Sequence, residues 1–220
     1  AGFLWPLIAT AVPRDAQAAV PVLALALVPV AVVALALTVD RQMHSATTVA
    51  LLGMLTAVGA AVRIAGTGVG GLEAVFIVLI LSGRAFGARF GFLLGMLVIS
   101  LSSVLWGGIG PWTPFQIFAC GWAAAGAGLL PRITARSQRR AARLEVLMLV
   151  GYGILASYAF GFIMNLWFWP FAVGAGSDIS YSAGAPLGQN LASFGLYSLV
   201  TSTLTWDTVR AVTTVVGIVL

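Results

Sequence analysis

Two charged residues late in the chain are spaced so that they could form one site. Asp207 and Arg210 are three positions apart, so a helix would place the carboxylate and the guanidinium on the same face. A charge at the centre of a bilayer costs on the order of 2.5–3.5 kcal/mol, and such charges persist when they are paired or functional. The spacing leaves two interpretations open: an ion pair satisfied within its own helix, or a pair that lines a ligand cavity.

Aromatic and polar residues cluster near three predicted outer loops. Indole rings combined with a few polar groups suit an organic ligand that carries flat rings and amides. Any single tryptophan can instead belong to the interfacial belt that anchors membrane helices, but the clustering favours a ligand site. The residues that we predict to bind a ligand together with the Asp207–Arg210 pair are Glu73, Trp106, Trp112, Thr113, Gln116, Asn165, Trp167 and Trp169.

Several kinds of chemistry lack the residues they need. His44 is the one histidine, whereas a zinc site needs several nitrogen or sulfur ligands and a serine nucleophile needs a base. No GxxxxGK[ST] phosphate loop is present, so the chain itself is not expected to hydrolyse ATP. Cys120, the one cysteine, excludes an internal disulfide and is predicted to be a small buried hydrophobe. We therefore predict neither an enzyme nor a metal or cofactor site.

The elements that must position these residues are membrane helices. The chain is 60% hydrophobic and 8% charged, whereas soluble domains carry about 25% charged residues. Its apolar runs are continuous, which favours helices over the alternating strands of a membrane barrel. With 220 residues there is room for about six to eight spans. The sequence predicts an all-α, polytopic membrane bundle.

The apolar runs locate the individual helices. The chain from 187 to 204 is predicted to be a separate interfacial or partly inserted helix, because Thr201, Ser202 and Thr203 interrupt the apolar run. Residues 2–12 are too few to span and are predicted to end a helix whose start is missing. Spans are predicted over residues 20–39, 46–62, 72–83, 90–106, 115–130, 145–169 and 206–220.

Arginines predict the orientation. Cytoplasmic loops carry an excess of basic residues, and the stretch 132–143 holds five of the eleven basic residues. Placing that stretch in the cytoplasm puts eight arginines in inner loops and only Arg14 and Arg63 in outer segments. The net charge of +5 thus comes from arginines that set the orientation of the chain in the membrane, and no nucleic-acid partner is expected. The inner arginines are Arg41, Arg84, Arg89, Arg132, Arg136, Arg139, Arg140 and Arg143.

Small residues recur along the predicted helix 46–62. Ala46, Ala50, Gly53, Ala57 and Ala61 follow one another at intervals of three or four. This spacing places them on one face, where small side chains permit close contact with another helix.

Several stretches together resemble the substrate-specific (S) component of energy-coupling factor transporters, in its actinobacterial branch. The more specific ones are GPWTPFQ within GIGPWTPFQ (108–116) and NLWFWPF within MNLWFWPF (164–171). The likeness covers about residues 46–220. The other stretches are LEAVF (72–76), GRAFGARFGFLLG (83–95), GAGLLPR (126–132) and WDTVRA (206–211).

The resemblance implies a six-helix substrate-binding bundle over residues 46–220, with one or two extra N-terminal helices in residues 1–45. It implies a subunit of a bacterial cytoplasmic-membrane importer that captures a vitamin outside, docks on a transmembrane coupling subunit with two ATPases, and releases the ligand inside. Gly53, Ala57 and Ala61 would contact the coupling subunit.

The resemblance favours cobalamin as the ligand, with thiamine, riboflavin, pantothenate or a cobalamin precursor also compatible. Two other functions stay open. One is a membrane scaffold or assembly factor that the outer aromatics anchor. The other is a stand-alone secondary transporter, for which Glu73 and Asp207 are the candidate coupling sites.

Overall fold

The computed structural model describes residues 2–4, 6–7, 45–66, 73–135, 137–173, 176–182 and 184–220. The span predicted over residues 20–39 and the polar loop that contains His44 lie outside these residues, as does Arg136. The architecture given below concerns the described part.

That part of the chain is helical and contains no strand, which confirms the predicted all-α class. A short 3-10 turn, Gly2–Leu4, precedes the bundle. The α-helices are α1 (Ala46–Gly66), α2 (Val75–Phe86), α3 (Ala88–Trp106), α4 (Thr113–Leu129), α5 (Gln138–Ala172), α6 (Leu187–Ser198) and α7 (Thr208–Val219), with a π-helical stretch, Leu199–Asp207, between the last two.

Three of these helices, α1, α3 and α5, are long and apolar enough to cross a membrane. The shorter α2 is also apolar. Three helices of this length and composition are typical of a membrane protein. The prediction of a membrane protein is confirmed at this level.

The predicted break at Thr201–Thr203 is wrong. The structure has one continuous helical rod from Leu187 to Val219. The hydroxyls do not interrupt it, since Thr201 Oγ1 donates to the Tyr197 carbonyl (2.7 Å) and Thr208 Oγ1 to the Thr203 carbonyl (2.7 Å) of the same rod. Side chains that bond their own helix bend or widen it rather than end it, and the rod widens here into the π-helical stretch.

Helices α3 and α4 pack backbone to backbone at two glycines of α3. A Cβ added at Gly95 would lie 2.5 Å from the Cys120 carbonyl oxygen, and one at Gly91 would lie 2.7 Å from the Ala124 carbonyl oxygen. Helices α3 and α4 can therefore approach more closely than side chains would allow. Cys120 is 1% exposed in this contact, which confirms its predicted burial.

An arginine closes the end of the bundle that carries the basic stretch. Arg84, in the last turn of α2, forms a two-pronged ion pair with Glu145 of α5, with Nη2–Oε2 at 3.0 Å. Its Nη1 also donates to the Leu130 carbonyl after α4 (2.7 Å). One guanidinium thus ties α2, α4 and α5 together, and a paired fork of this kind fixes geometry well.

Candidate ligand cavity

A cavity of about 280 Å³ lies at the opposite end of α2, where α2, α4 and α5 meet the C-terminal rod. Because α2 rises about 18 Å over its length, this cavity is well separated from the Arg84–Glu145 pair. Its walls combine aromatic rings, hydroxyls, amides and charged groups. The lining residues are Glu73, Gln116, Phe160, Gly161, Met164, Asn165, Tyr197, Thr201, Ser202, Trp206, Asp207 and Arg210.

Arg210 organises the charged side of the cavity. Its Nη1 donates to Asp207 Oδ1 (2.7 Å) and to the Ser157 carbonyl (3.0 Å), and its Nε binds Glu73 Oε2. The side chains of Arg210 and Asp207 are 5% and 1% exposed, whereas that of Glu73 is 40% exposed. A guanidinium so deeply buried is tolerated because carboxylates and a carbonyl satisfy it.

Two aromatic rings cover the guanidinium on the protein side. The Arg210 Cζ atom lies 5.4 Å from the Phe76 ring centroid and 4.7 Å from the Phe160 ring centroid. A cation at such distances is attracted by the negative face of the ring, and the attraction strengthens where water is excluded. The rings also keep water from Arg210, so its position is fixed by the protein.

The π-helical stretch positions the Asp207 carboxylate. Ser202 Oγ donates to Asp207 Oδ2 at 2.7 Å, a contact between residues five apart. The i→i+5 repeat of a π-helix brings such residues to the same side, which an α-helix does not. Gly161 of α5 faces the carboxylate so closely that a Cβ there would overlap its atoms.

Amide groups complete the cavity. Asn165 Nδ2 donates to Ser198 Oγ (3.1 Å), which links α5 to the C-terminal rod. Gln116 Oε1 accepts from Arg63 Nη2 (3.1 Å), and Arg63 Nη1 donates to Ser102 Oγ (2.8 Å). Arg63 therefore lies behind Gln116 and does not itself line the cavity.

The structure brings five of the predicted site residues together in this cavity: Glu73, Gln116, Asn165, Asp207 and Arg210. The two interpretations of the Asp207–Arg210 pair are not exclusive. The two residues form an ion pair within one rod, and both also line the cavity. A third charged residue, Glu73 just before α2, joins the pair, which the three-residue spacing alone does not reveal.

The other predicted site residues do not line it. Trp167 packs on Phe115 with ring centroids 4.3 Å apart, and Trp169 is fully buried and donates Nε1–H to the Ile179 carbonyl (2.6 Å). Beside Trp169, burial raises the pKa of the Tyr181 hydroxyl, which lies in the loop after α5. These indoles stabilise the packing of α5 and its loop.

The remaining three lie at the α3–α4 connection: Trp106 ends α3, Trp112 lies in the loop and Thr113 begins α4. Trp106 and Trp112 are 60% and 41% exposed. Thr113 is buried and accepts a hydrogen bond from the Gly110 amide at its Oγ1 (2.9 Å), so it orders the turn that starts α4. This loop contributes no side chain to the cavity.

Sequence reasoning missed one face of α5 and most of the π-helical stretch. On α5, Phe160, Gly161 and Met164 share the face of Asn165, and the i, i+1, i+4, i+5 spacing was the available signal. On the C-terminal rod, the predicted break at Thr201–Thr203 separated Tyr197 from the residues after it, so their shared cavity was not predicted. The missed residues are Phe160, Gly161, Met164, Tyr197, Thr201, Ser202 and Trp206.

The predicted small-residue face of α1 points away from the bundle. Ala46, Ala50, Gly53, Ala57 and Ala61 are all exposed. A Cβ added at Gly53 would meet no atom within 4 Å. The opposite face of α1 carries the buried Leu52, Thr56 and Ala60 toward the bundle core.

Comparisons with known proteins leave the cavity as the main guide to function. The chain matches no protein-family model, no curated protein and no solved structure. Within the described residues, no three His, Cys, Asp or Glu side chains lie close enough together to hold a metal ion. What the cavity offers chemically is recognition, through rings, amides, hydroxyls and one incompletely paired carboxylate.

Proposed function

We propose that this chain is the membrane-embedded substrate-binding subunit of an energy-coupling factor importer. It captures a vitamin or related micronutrient on the outer side of a bacterial cytoplasmic membrane. It then docks on a transmembrane coupling subunit with two ATPases and releases the ligand inside. The observation that carries the proposal is the cavity at the Glu73 end of α2, opposite the arginine-rich end.

The polarity of the cavity supports ligand capture. A ligand site needs an opening beside its polar groups, whereas an ion pair that only fastens helices together does not. Here Glu73 remains 40% exposed and Trp206 51% exposed, beside the fully enclosed Asp207. Rings, amides and hydroxyls that converge on an accessible hollow are typical of small-molecule sites.

The volume of the cavity limits the size of the ligand. Small-molecule sites commonly measure about 300–1,000 Å³, and this cavity, at about 280 Å³, lies just below that range. A corrin macrocycle with its appended nucleotide would extend far beyond it. Among the vitamins that the sequence resemblance allows, the volume favours thiamine, riboflavin or pantothenate over cobalamin.

The exposed face of α1 supports docking. Its small side chains lose little rotamer entropy on contact and allow another helix to approach closely. Gly53, Ala57 and Ala61 lie on this face and would contact the coupling subunit.

The test combines two measurements on the full chain. The first is native mass spectrometry of the purified protein, in which a retained organic molecule is expected. The second is co-purification with the coupling subunit and ATPases encoded in the same genome, in which a complex is expected. A folded protein that retains no organic molecule and forms no such complex would exclude the proposal and leave the scaffold function.

A further inference from the structure

The charges that line the cavity do not balance. Glu73 and Asp207 contribute two carboxylates and Arg210 one guanidinium, so the lining carries a formal charge of −1. Arg63 binds the oxygens of Ser102 and Gln116 and is not part of the lining.

Asp207 is paired and enclosed. One oxygen accepts from Arg210 Nη1 and the other from Ser202 Oγ, each at 2.7 Å, and the side chain is 1% exposed. The backbone of Gly161 lies against the carboxylate. The excess negative charge therefore resides at Glu73.

Glu73 is accessible and incompletely paired. Arg210 Nε binds its Oε2, while Oε1 accepts no hydrogen bond from any residue that the structure describes. Its side chain is 40% exposed, whereas its cationic partner is 5% exposed. A ligand that enters the cavity meets the carboxylate before it meets the guanidinium.

Aromatic rings share the lining of the cavity with this carboxylate. Trp206 is half-exposed, and Tyr197 and Phe160 are buried around the same hollow. A flat ring stacks on such surfaces, and a positive charge on that ring gains a cation–π attraction, strongest with indole. An anionic ligand would instead be repelled by Glu73.

We infer that the cavity selects a small organic cation with a flat ring, whose charge is balanced by Glu73 and whose ring lies against Trp206. This rests on the proposed function, which makes the cavity a ligand site. Selection follows from charge. A monovalent cation neutralises the lining, a neutral ligand leaves its formal charge at −1, and a monovalent anion brings the total to −2.

The experiment is calorimetric titration of the full chain in lipid nanodiscs with three vitamins of different charge. Thiamine is a cation, riboflavin is neutral and pantothenate is an anion. Thiamine is expected to bind at least about tenfold more tightly than the other two. Glu73→Gln should weaken thiamine binding by about tenfold or more, since it removes a partly desolvated ion pair, and Glu73→Asp should retain most of the affinity.

Glu145→Gln is the matched control, because it removes the carboxylate of the other Arg–Glu pair at the far end of α2 and should leave thiamine affinity unchanged. Thermal unfolding establishes that each variant is folded. Tighter binding of riboflavin or pantothenate, an unchanged affinity in Glu73→Gln, or no thiamine binding at millimolar concentration overturns the inference. The complex with the coupling subunit does not depend on ligand charge, so its formation would leave the proposed function standing.

Discussion

Gly161 shows how a single missing side chain makes the charged cluster feasible. The Asp207 carboxylate occupies the space that a Cβ on α5 would fill. Had any other residue stood there, Asp207 would have to move away from Arg210, which would weaken a buried ion pair.

Gly161→Ala is expected to lower the free energy of unfolding by about 1–3 kcal/mol, as overpacking in a tight site does, and to weaken ligand binding. The control is Gly151→Ala on the same helix, where a Cβ meets nothing within 4 Å and alanine is the better helix former. Thermal unfolding in nanodiscs measures both. Equal melting temperatures for the two variants would show that Asp207 does not need this space.

At this scale the sequence predicts the charged and amide residues of the cavity and not its tryptophans. Glu73, Asp207 and Arg210 are conspicuous because a charge among apolar residues needs a reason. An indole is equally suited to an interface, to helix packing or to a ligand. Trp169 and Trp206 therefore look alike in the sequence, and only the tertiary structure separates the buried one from the one that lines the cavity.

At the scale of elements, α3 and α4 owe their contact to glycines rather than to interlocking side chains. Lipid tails are as apolar as leucine, so close packing and not the hydrophobic effect must hold membrane helices together. The glycine patterns were visible in the sequence. The partner backbone atoms of Gly91 and Gly95 were not, because they depend on how the helices cross.

Gly95→Ala is expected to separate α3 from α4 and to lower the free energy of unfolding by about 1–3 kcal/mol, because the new Cβ would meet the Cys120 backbone. Gly195→Ala, on an open face of α6, serves as the control and should be neutral or slightly stabilising. Thermal unfolding distinguishes them, and a Gly95→Ala variant as stable as the parent would contradict the close approach.

Element boundaries were harder to predict than element types. The run from Leu187 to Val219 is too long for a simple span, and the hydroxyl residues within it suggested a break. Serine and threonine can satisfy their hydroxyls on their own helix, so they do not define an end. A π-helical stretch has no distinct residue signature, so the sequence does not predict it.

At the scale of the whole molecule, the exposed small-residue face of α1, which is the proposed docking face, is separate from the cavity. Gly53→Leu or Ala57→Leu is expected to reduce complex formation with the coupling subunit severalfold, because a bulky side chain blocks close helix approach. Ligand affinity should be unchanged, since neither residue lines the cavity.

Val58→Leu is the control for this pair, because position 58 is exposed on the same helix and already carries a bulky side chain. Co-purification and calorimetry on each variant give the two readouts. Loss of ligand binding together with an intact complex would contradict this assignment of α1.

The orientation of the whole chain in the membrane can be tested by cysteine labelling. With the arginine-rich end in the cytoplasm, a cysteine at exposed position 109 should react with a membrane-impermeant maleimide in intact cells. A cysteine at exposed position 137 should react only after permeabilisation. Native Cys120 is 1% exposed and gives little background, and the reverse labelling pattern would invert the topology.

The Arg84–Glu145 pair fastens one end of the bundle, and the cavity lies at the other. One guanidinium joins α2, α4 and α5 at the first end, and Glu73 lies at the second. Glycine-mediated contacts hold α3 close to α4. Under the proposed function, a bound ligand would therefore reach the other side of the membrane only when the whole subunit reorients, which is work that an ATP-driven partner can supply.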